Sequence, residues 1–398
     1  MSERPPVIDW MSDWDHMDAR WTNDPYSVWS EVRSATCPIA RTARYGGAYL
    51  PTTFDDIRDI ALNTEHFSSR QVVLREHHPI DLGGAPPITT DPPKHELARR
   101  AIMEPFSPYH IKKKIPRIRE ICNVLIDAFI DNGNFDGASD YAQHIPVHVI
   151  ADMLGLPHSD DEQFRTWIKQ ILITGVHDER VLNTALLEIT EYFRGHVEAR
   201  RRAPGEDFIS HLARQTYEDG EPFKDKHILG TLRLILVAGI DTTWSAIGSS
   251  IWHLAHVPSD RERLSQDPEF ARTAVEELLR VYAPVTMARF VAKDININGC
   301  AMRAGEMALL PFPAANRDPT CFADADSVDF DRQDSHRHVA FGIGIHRCVG
   351  MHLARMELTV ALQELLKRVP NFQLAGKTTW SQGAVRGPRS LPLVFSTC

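Results

Sequence analysis

The chain has 398 residues, of which 43% are hydrophobic and 24% are charged, as is typical of a soluble globular protein. A net charge of -9 gives no support to nucleic-acid binding, and six cysteines without framework spacing indicate a reducing compartment such as the cytoplasm. Residues 1–20 show no secretory signal and no membrane anchor, so we expect an irregular N-terminal segment of one domain that covers residues 1–398.

The first part of the chain is predicted to be mostly helical after a short sheet. Strands are indicated at 39–44 and 48–52, on either side of the Gly46-Gly47 turn, and a helix begins at Phe54. Apolar side chains then recur about every 3.6 residues through most of 94–256. This periodicity predicts a helix-dominated fold.

The segment from Lys224 to Val257 is predicted to be one long buried helix. It has no proline and is apolar over much of its circumference. Its most apolar part is preceded by Arg233 and interrupted by Asp241, so it falls short of a membrane span. We therefore expect no membrane association.

The stretch from Phe341 to Gly350 carries the most informative motif. It follows predicted strands between 290 and 310, and it reads Phe-Gly-Ile-Gly-Ile-His-Arg-Cys-Val-Gly. Its glycines lack Cβ atoms, so the backbone can approach a flat ligand closely. The amphipathic helix predicted from Val349 places Cys348 at a helix N-terminus, where a thiolate is favoured. This pattern indicates a single thiolate presented to a planar iron cofactor.

Two other interpretations of Cys348 remain open. A lone cysteine can be a buried structural residue beside a glycine-rich turn. A zinc site is the second alternative, because four histidines flank the cysteine, but they lack the paired spacing that closes a tetrahedral shell. These histidines are His336, His338, His346 and His352.

A second motif, Ala-Gly-Ile-Asp-Thr-Thr, occupies 238–243 in the middle of the predicted long helix. A glycine, a carboxylate and two β-branched hydroxyls are poor choices for a buried helix, so their presence needs a reason. The hydroxyl of Thr242 could bond a helix carbonyl, or it could hold water or dioxygen beside a cofactor. The alternative to a catalytic function is a back-bonded Thr242 and a salt-bridged Asp241.

These motifs resemble those of the cytochrome P-450 monooxygenases, whose haem-binding loop reads Phe-Gly-x-Gly-x-His/Arg-x-Cys-x-Gly. Every fixed position of that loop is matched between Phe341 and Gly350. The resemblance covers nearly the whole chain and implies a mainly α fold with a long central helix and small peripheral β-sheets. It also implies that Cys348 ligates the iron of haem b and that Asp241 and Thr242 form the catalytic proton relay.

The resemblance further implies how the rest of the haem site is built. In the family, a Glu-x-x-Arg pair and a third arginine form a buried network that supports the cysteine loop. The corresponding residues here are Glu277, Arg280 and Arg332. The expected haem-binding residues besides Cys348 are His95, Arg99, Arg289 and His346 for the propionates, with Phe341 and Gly350 in the cysteine loop.

The activity implied by the resemblance is insertion of one atom of dioxygen into a small hydrophobic substrate, by hydroxylation or oxidative dealkylation. Electrons are expected to come from NAD(P)H through two separate proteins, a ferredoxin reductase and a ferredoxin. A peroxide-driven peroxygenase and a non-catalytic haem sensor are the alternatives within the same fold. The intact pair of Asp241 and Thr242 disfavours both of them.

The resemblance also places the substrate pocket. Its expected lining is the loop 72–88, Val176, Leu234, Val237, Ala238, the segment 285–288 and Val385. These positions are mostly apolar, which suits a hydrophobic ligand. The basic residues in or near the first loop are interpreted as solvated charges, with a site for a substrate carboxylate as the alternative. They are Arg70, Arg75, His77 and His78.

Overall fold

The computed structural model describes residues 5–37, 39–76 and 79–396, and these form a helix-dominated fold with four small sheets. The α-helices are α1 Ala19–Asn23, α2 Pro25–Arg33, α3 Phe54–Leu62, α4 Lys94–Met103, α5 Pro108–Lys112, α6 Ile115–Asp127, α7 His144–Leu154, α8 Asp161–Leu172, α9 Glu179–Arg202, α10 Phe208–Ala213, α11 Asp225–His256, α12 Pro258–Gln266, α13 Ala271–Val281, α14 Phe312–Ala315 and α15 Met351–Arg368.

The described strands are short. They are β1 Ile39–Thr42, β2 Ala48–Pro51, β3 Phe67–Ser68, β4 Asn134–Asp136, β5 Thr286–Val291, β6 Ile295–Ile297, β7 Cys300–Met302, β8 Met307–Pro311, β9 Gln373–Leu374, β10 Thr379–Trp380, β11 Pro388–Ser390 and β12 Pro392–Val394. Between β3 and the strands that follow α13 there is only β4. The largest sheet has the order β1-β2-β8-β5-β3, so it joins the N-terminal hairpin to the strands after α13. The predicted strands, and the turn at Gly46-Gly47 between the first two, are confirmed.

Helix α11 is the long central helix predicted from the sequence. It spans 32 residues, and most of its side chains are buried. Among the described helices it alone is long and apolar enough to cross a membrane, yet 67% of its most apolar window is buried inside the protein, as expected of a core helix. Gly239 allows α7 to pack closely on α11, because a Cβ there would lie 2.7 Å from Cδ1 of Ile150.

The buried apolar side chains form two hydrophobic cores. The larger core surrounds α11 and includes buried side chains of α6, α7, α13 and α15. The smaller core lies against the five-stranded sheet and includes the buried Trp10 and Trp14. Residues 5–18 form turns and no helix or strand, whereas Ala19 and Arg20, the last residues of the predicted irregular segment 1–20, begin α1. The two tryptophans pack residues 5–18 onto the sheet.

The predicted network of Glu277, Arg280 and Arg332 is confirmed. Arg280 Nη2 lies 2.8 Å from Glu277 Oε1, and Arg332 Nε lies 3.1 Å from the same oxygen. Arg280 also donates to the backbone carbonyls of Asn316 and Ala325, at 2.7 and 2.6 Å. These contacts connect α13 to the segment that leads to the cysteine loop. Removing one charged partner would cost about 3–5 kcal/mol, because it would leave an uncompensated buried charge.

Candidate active site

A mostly apolar cavity lies between α11, the C-terminal part of α4, strand β5 and the loop 340–350. Cys348 lines it from the loop, and Thr242 and Thr243 line it from α11. Arg99, Arg289 and His346 also contribute to its wall. The cavity therefore brings together most of the site residues predicted from the sequence.

The loop before α15 is folded so that Cys348 faces this cavity. The backbone N–H of Cys348 donates to the carbonyl of Phe341 at 2.8 Å, which closes the loop. Gly342 and Gly344 have φ values of 72° and 73°, a conformation that side chains rarely adopt. A Cβ on Gly344 would also lie 3.0 Å from Leu62 of α3. The glycines of the motif are thus required by the backbone path.

Two opposing effects of the surroundings act on the pKa of the Cys348 thiol. The side chain has accessible surface because it lines the cavity, but protein atoms surround it, and this burial raises the pKa of the thiol. The backbone N–H of Gly350 and the guanidinium of Arg99 oppose that change and lower the pKa. Helix α15 begins at Met351 with Gly350 as its N-cap, so the expected position of Cys348 just before a helix is confirmed.

The four expected propionate residues form one cluster in which no described carboxylate makes an ion pair, although the charge of Asp91 raises the pKa values of Arg289 and His95. His346 accepts or donates a hydrogen bond with Ser69 Oγ at 2.8 Å, and the His95 ring lies 4.4 Å from the His346 ring. Arg99 and Arg289 make no ion pair with any residue that the structure describes. Burial lowers the pKa of Arg289 to about 10 and, with the nearby Arg289, His95 and Arg99, lowers that of His346 to about 3.

This cluster fits a ligand that carries carboxylates. The His95 ring is buried, its one polar contact is a weak interaction with the backbone of Ile345 that falls short of hydrogen-bond geometry, and Arg289 is only 5% exposed. Buried cations and imidazoles of this kind are normally paired. The two propionates of a haem would supply the missing anions, beside a cysteine that can ligate its iron.

Asp241 and Thr242 lie side by side on α11 but face different surroundings. Asp241 is 1% exposed, and its carboxylate oxygens lie 2.8 and 3.0 Å from Nη2 of Arg389. Only the 3.0 Å contact to Oδ2 has hydrogen-bond geometry, so Oδ1 keeps a free lone pair. Burial raises the pKa of the Asp241 carboxyl, and Arg389 opposes that shift. Asp241 is therefore a carboxyl able to hold a proton close to the cavity.

The Thr242 hydroxyl donates to the carbonyl of Ala238 at 2.7 Å. This is the back-bonded geometry of the non-catalytic alternative, and the ion pair of Asp241 matches that alternative as well. The hydroxyl nevertheless lines the cavity, where its oxygen can still accept a hydrogen bond. The roles of both residues consequently stay predictions.

Comparison with known proteins identifies the family. Residues 171–375 match the family described as cytochrome P-450. The polyketide biosynthesis cytochrome P-450 PksS of Bacillus subtilis is 31% identical over 393 residues, which cover 94% of this chain and 96% of PksS. The chain belongs to the cytochrome P-450 family.

Another relative and a solved structure support the same family. The mycinamicin IV hydroxylase/epoxidase of Micromonospora griseorubida is 33% identical over 374 residues, which cover 90% of this P-450 and 93% of that enzyme. The solved structure of PksS matches with a TM-score of 0.87 at 30% identity, covering 96% of this chain and 100% of PksS. The predicted P-450 fold is thus confirmed, and this P-450 is an oxidoreductase of a haem-binding family.

The predicted pocket lining is partly correct. Leu234 and Ala238 of α11 line the cavity, as do Ile88, Val285 and Met287. The predicted residues that are absent from the described lining are 72–76 and 79–86 of the loop, Val176, Val237, Thr286, Ala288 and Val385. Strand alternation explains part of this result, because only every second side chain of β5 faces the cavity.

The basic residues in or near the loop 72–88 differ in their exposure to solvent. Arg70 is exposed and its guanidinium stacks on the Phe290 ring at 3.3 Å, whereas burial lowers the pKa of Arg75. Arg75 is half-buried, so its interpretation as a solvated charge stays a prediction. His77 and His78 lie outside the described residues.

The histidines of the zinc alternative do not gather around Cys348. His338 Nε2 bonds Glu276 Oε2 at 3.2 Å, His346 bonds Ser69, and His336 is exposed. The sequence analysis missed Arg389, which reaches Asp241 from β11. The sequence indicated only that a buried Asp241 would require a cationic partner, and it did not indicate which residue.

Proposed function

We propose that this P-450 inserts one atom of dioxygen into a hydrophobic organic molecule, by hydroxylation or oxidative dealkylation. The observation that carries the proposal is that Cys348 and the Ala-Gly-Ile-Asp-Thr-Thr motif meet at one mostly apolar cavity. Relatives named as a hydroxylase/epoxidase and a vitamin D(3) 25-hydroxylase support this reaction class. Their different substrates leave the substrate of this chain open, and its apolar cavity wall favours a hydrophobic one.

The haem site is assigned to residues of this cavity. When bound, haem b supplies a redox-active iron, and a thiolate ligand favours cleavage of the O–O bond. Cys348 is the proposed ligand. Arg99, Arg289, His95 and His346 are the proposed partners of the propionates, because they lie together without an ion pair to a described carboxylate, with His95 and Arg289 buried and Arg99 and His346 half-buried.

Proton delivery is assigned to α11. Asp241 holds a proton more readily than an ordinary aspartate, because burial raises its pKa. Arg389 fixes the orientation of that carboxyl through its 3.0 Å hydrogen bond. The hydroxyl of Thr242, at the cavity wall, would accept a hydrogen bond and transfer a proton into the cavity. An acid and an alcohol in these positions support a dioxygen-dependent reaction over a peroxide-driven one.

Electrons are proposed to come from NAD(P)H through a ferredoxin reductase and an acidic ferredoxin in the cytoplasm. Lys112, Lys113 and Arg347 are exposed basic residues close in sequence to α5 and the cysteine loop. Lys114 is the next residue in the same run of lysines, but it is half-buried, and Asp152 and Glu357 partly offset the effect of burial on its pKa. It is therefore better suited to balance the buried Glu357 than to bind a partner.

Charge reversal tests this docking surface. In a variant with Lys112→Glu, Lys113→Glu and Arg347→Glu, we expect reduction by ferredoxin to slow about tenfold or more at low salt, because a basic patch steers an acidic partner. The effect should shrink as salt screens the charges. Stopped-flow measurement of haem reduction provides the rate. Lys377→Glu, at another exposed lysine, is the control, and equal rates in the two variants at low salt would refute the surface.

The reaction class is tested by turnover under three conditions. The purified holoprotein is supplied with a ferredoxin, its reductase and NADH, with hydrogen peroxide, or with neither. The substrate for this test is first selected from terpenoids, aromatic acids, fatty acids and macrolides by a low-spin to high-spin shift of the haem spectrum. We expect product only with the complete electron-transfer system. Product formed at a higher rate with peroxide would favour the peroxygenase, and no product from any bound compound would favour the sensor.

A further inference from the structure

A cluster of histidines and aspartates joins α7 to α8 away from the haem cavity lining. His148 lies on α7, His158 begins the turn after it, and Asp161 is the first residue of α8. His148 Nδ1 lies 2.7 Å from Asp161 Oδ2, and His158 Nδ1 lies 3.3 Å from the same oxygen. Among the described residues, this is the only group of three or more such side chains whose ligand atoms converge.

Two of the three distances between these atoms match those of ligands around one metal ion, whereas His148 Nδ1 and Asp161 Oδ2, at 2.7 Å, would have to move about 0.6 Å apart. The two Nδ1 atoms are 3.3 Å apart. Two ligand atoms bound to Zn²⁺ at about 2.0–2.1 Å in tetrahedral geometry lie about 3.3 Å from each other. Two imidazole nitrogens and a carboxylate oxygen are also ligands that zinc prefers.

Hydrogen bonding alone explains the cluster poorly. When the single proton of a neutral His158 is on Nε2, facing Asp152 Oδ1, its Nδ1 has no proton to donate, and lone pairs of Nδ1 and Asp161 Oδ2 face each other at 3.3 Å. The other oxygen, Asp161 Oδ1, is buried and has no hydrogen-bond partner, although the side chain is only 7% exposed. The helix dipole favours a carboxylate at the start of a helix, but it does not explain why two histidines contact the Asp161 carboxylate.

The residues around the cluster would orient the ligands. His158 Nε2 lies 2.9 Å from Asp152 Oδ1, so a proton on Nε2 is directed at this carboxylate and leaves Nδ1 with its lone pair. Arg117 Nε holds the other oxygen of Asp152 at 2.9 Å. The Arg117 Nη2 atom also lies 3.2 Å from His158 Nε2, but Asp152 is the nearer and charged partner of that nitrogen.

We propose that His148, His158 and Asp161 bind one divalent transition-metal ion, with zinc as the fitting metal and water in the fourth position. The ion would tie α8 to α7 across the bend at Gly155. The histidines are 27% and 39% exposed, so an ion can reach the site from solvent. This function is structural and independent of the haem chemistry.

The experiment uses the untagged, haem-loaded protein after removal of metal with a chelator. The protein is titrated with zinc and desalted, and its zinc content is measured by mass spectrometry. We expect a saturable ratio of about one zinc per chain, and X-ray absorption at the zinc edge should show imidazole nitrogen and oxygen ligands. Asp161→Asn and His158→Ala should lose the retained zinc, and Asp152→Asn should weaken its binding about 10–100-fold.

His256→Ala is the matched control, because His256 is an exposed histidine outside the cluster. It should retain zinc as the parent does. Haem content and circular dichroism verify the fold of each variant, and the near-isosteric Asp161→Asn keeps the test valid if His158→Ala does not fold. Undiminished zinc retention in a folded Asp161→Asn variant, or no saturable uptake by the parent, would overturn the proposal and leave a hydrogen-bonded cluster.

Discussion

Replacing Cys348 with alanine is expected to abolish the thiolate-type absorption of the reduced carbon monoxide complex. The reason is structural, because Cys348 is the only described cysteine that lines the haem cavity. The basic cluster of Arg99, Arg289, His95 and His346 is untouched by this change. Residual haem can therefore bind, but without a thiolate ligand. The measurement is the reduced difference spectrum with carbon monoxide, together with haem content per chain.

The remaining cysteines provide the controls. Cys122 is buried, and burial raises the pKa of its thiol to about 12, so it is unsuited to act as a thiolate. Cys37, Cys300 and Cys321 lie outside the cavity lining, and Cys398 lies outside the described residues. Single replacement of each should preserve the spectrum. If the thiolate-type absorption survives in Cys348→Ala, the assignment of the ligand is wrong.

Features encoded by nearby residues were predictable from the sequence. The loop from Phe341 to Gly350 is specified by local residues, and Gly342 and Gly344 take positive φ values that a glycine permits. Helix α11 follows from one long apolar segment. The pair of Glu277 and Arg280 is three residues apart on one helix, so its contact follows from helix geometry.

Contacts between distant segments were not predictable in the same way. Arg389 bonds Asp241 across 148 residues of chain, and no periodicity specifies which of the many arginines would do so. Lys114 belongs to a run of three lysines that reads as exposed, but folding places it near Glu357 of α15. The cluster of His148, His158 and Asp161 depends on a bend between two helices. Tertiary packing decides all three arrangements.

Thr242→Ala is expected to keep haem, fold and substrate binding while diverting electrons into hydrogen peroxide or water. The lost hydroxyl lines the cavity, whereas Cys348 and the basic cluster do not depend on it. A positioned proton donor contributes about a hundredfold to ten-thousandfold in rate, so coupling of NADH consumption to product should fall strongly. The measurements are NADH consumed, product formed and peroxide released, with the same redox partners for both proteins.

The structure makes this test discriminating, because the Thr242 hydroxyl already has a structural partner in the carbonyl of Ala238. If that 2.7 Å bond is its whole function, alanine should be tolerated, since a back-bonding hydroxyl adds nothing to helix stability. Coupling would then equal that of the parent, and the motif would be structural. If the hydroxyl also transfers protons, Thr242→Ser should retain coupling while Thr242→Ala loses it. The serine variant keeps both the hydroxyl and its bond to Ala238, so it separates proton transfer from the loss of a methyl group at the cavity wall.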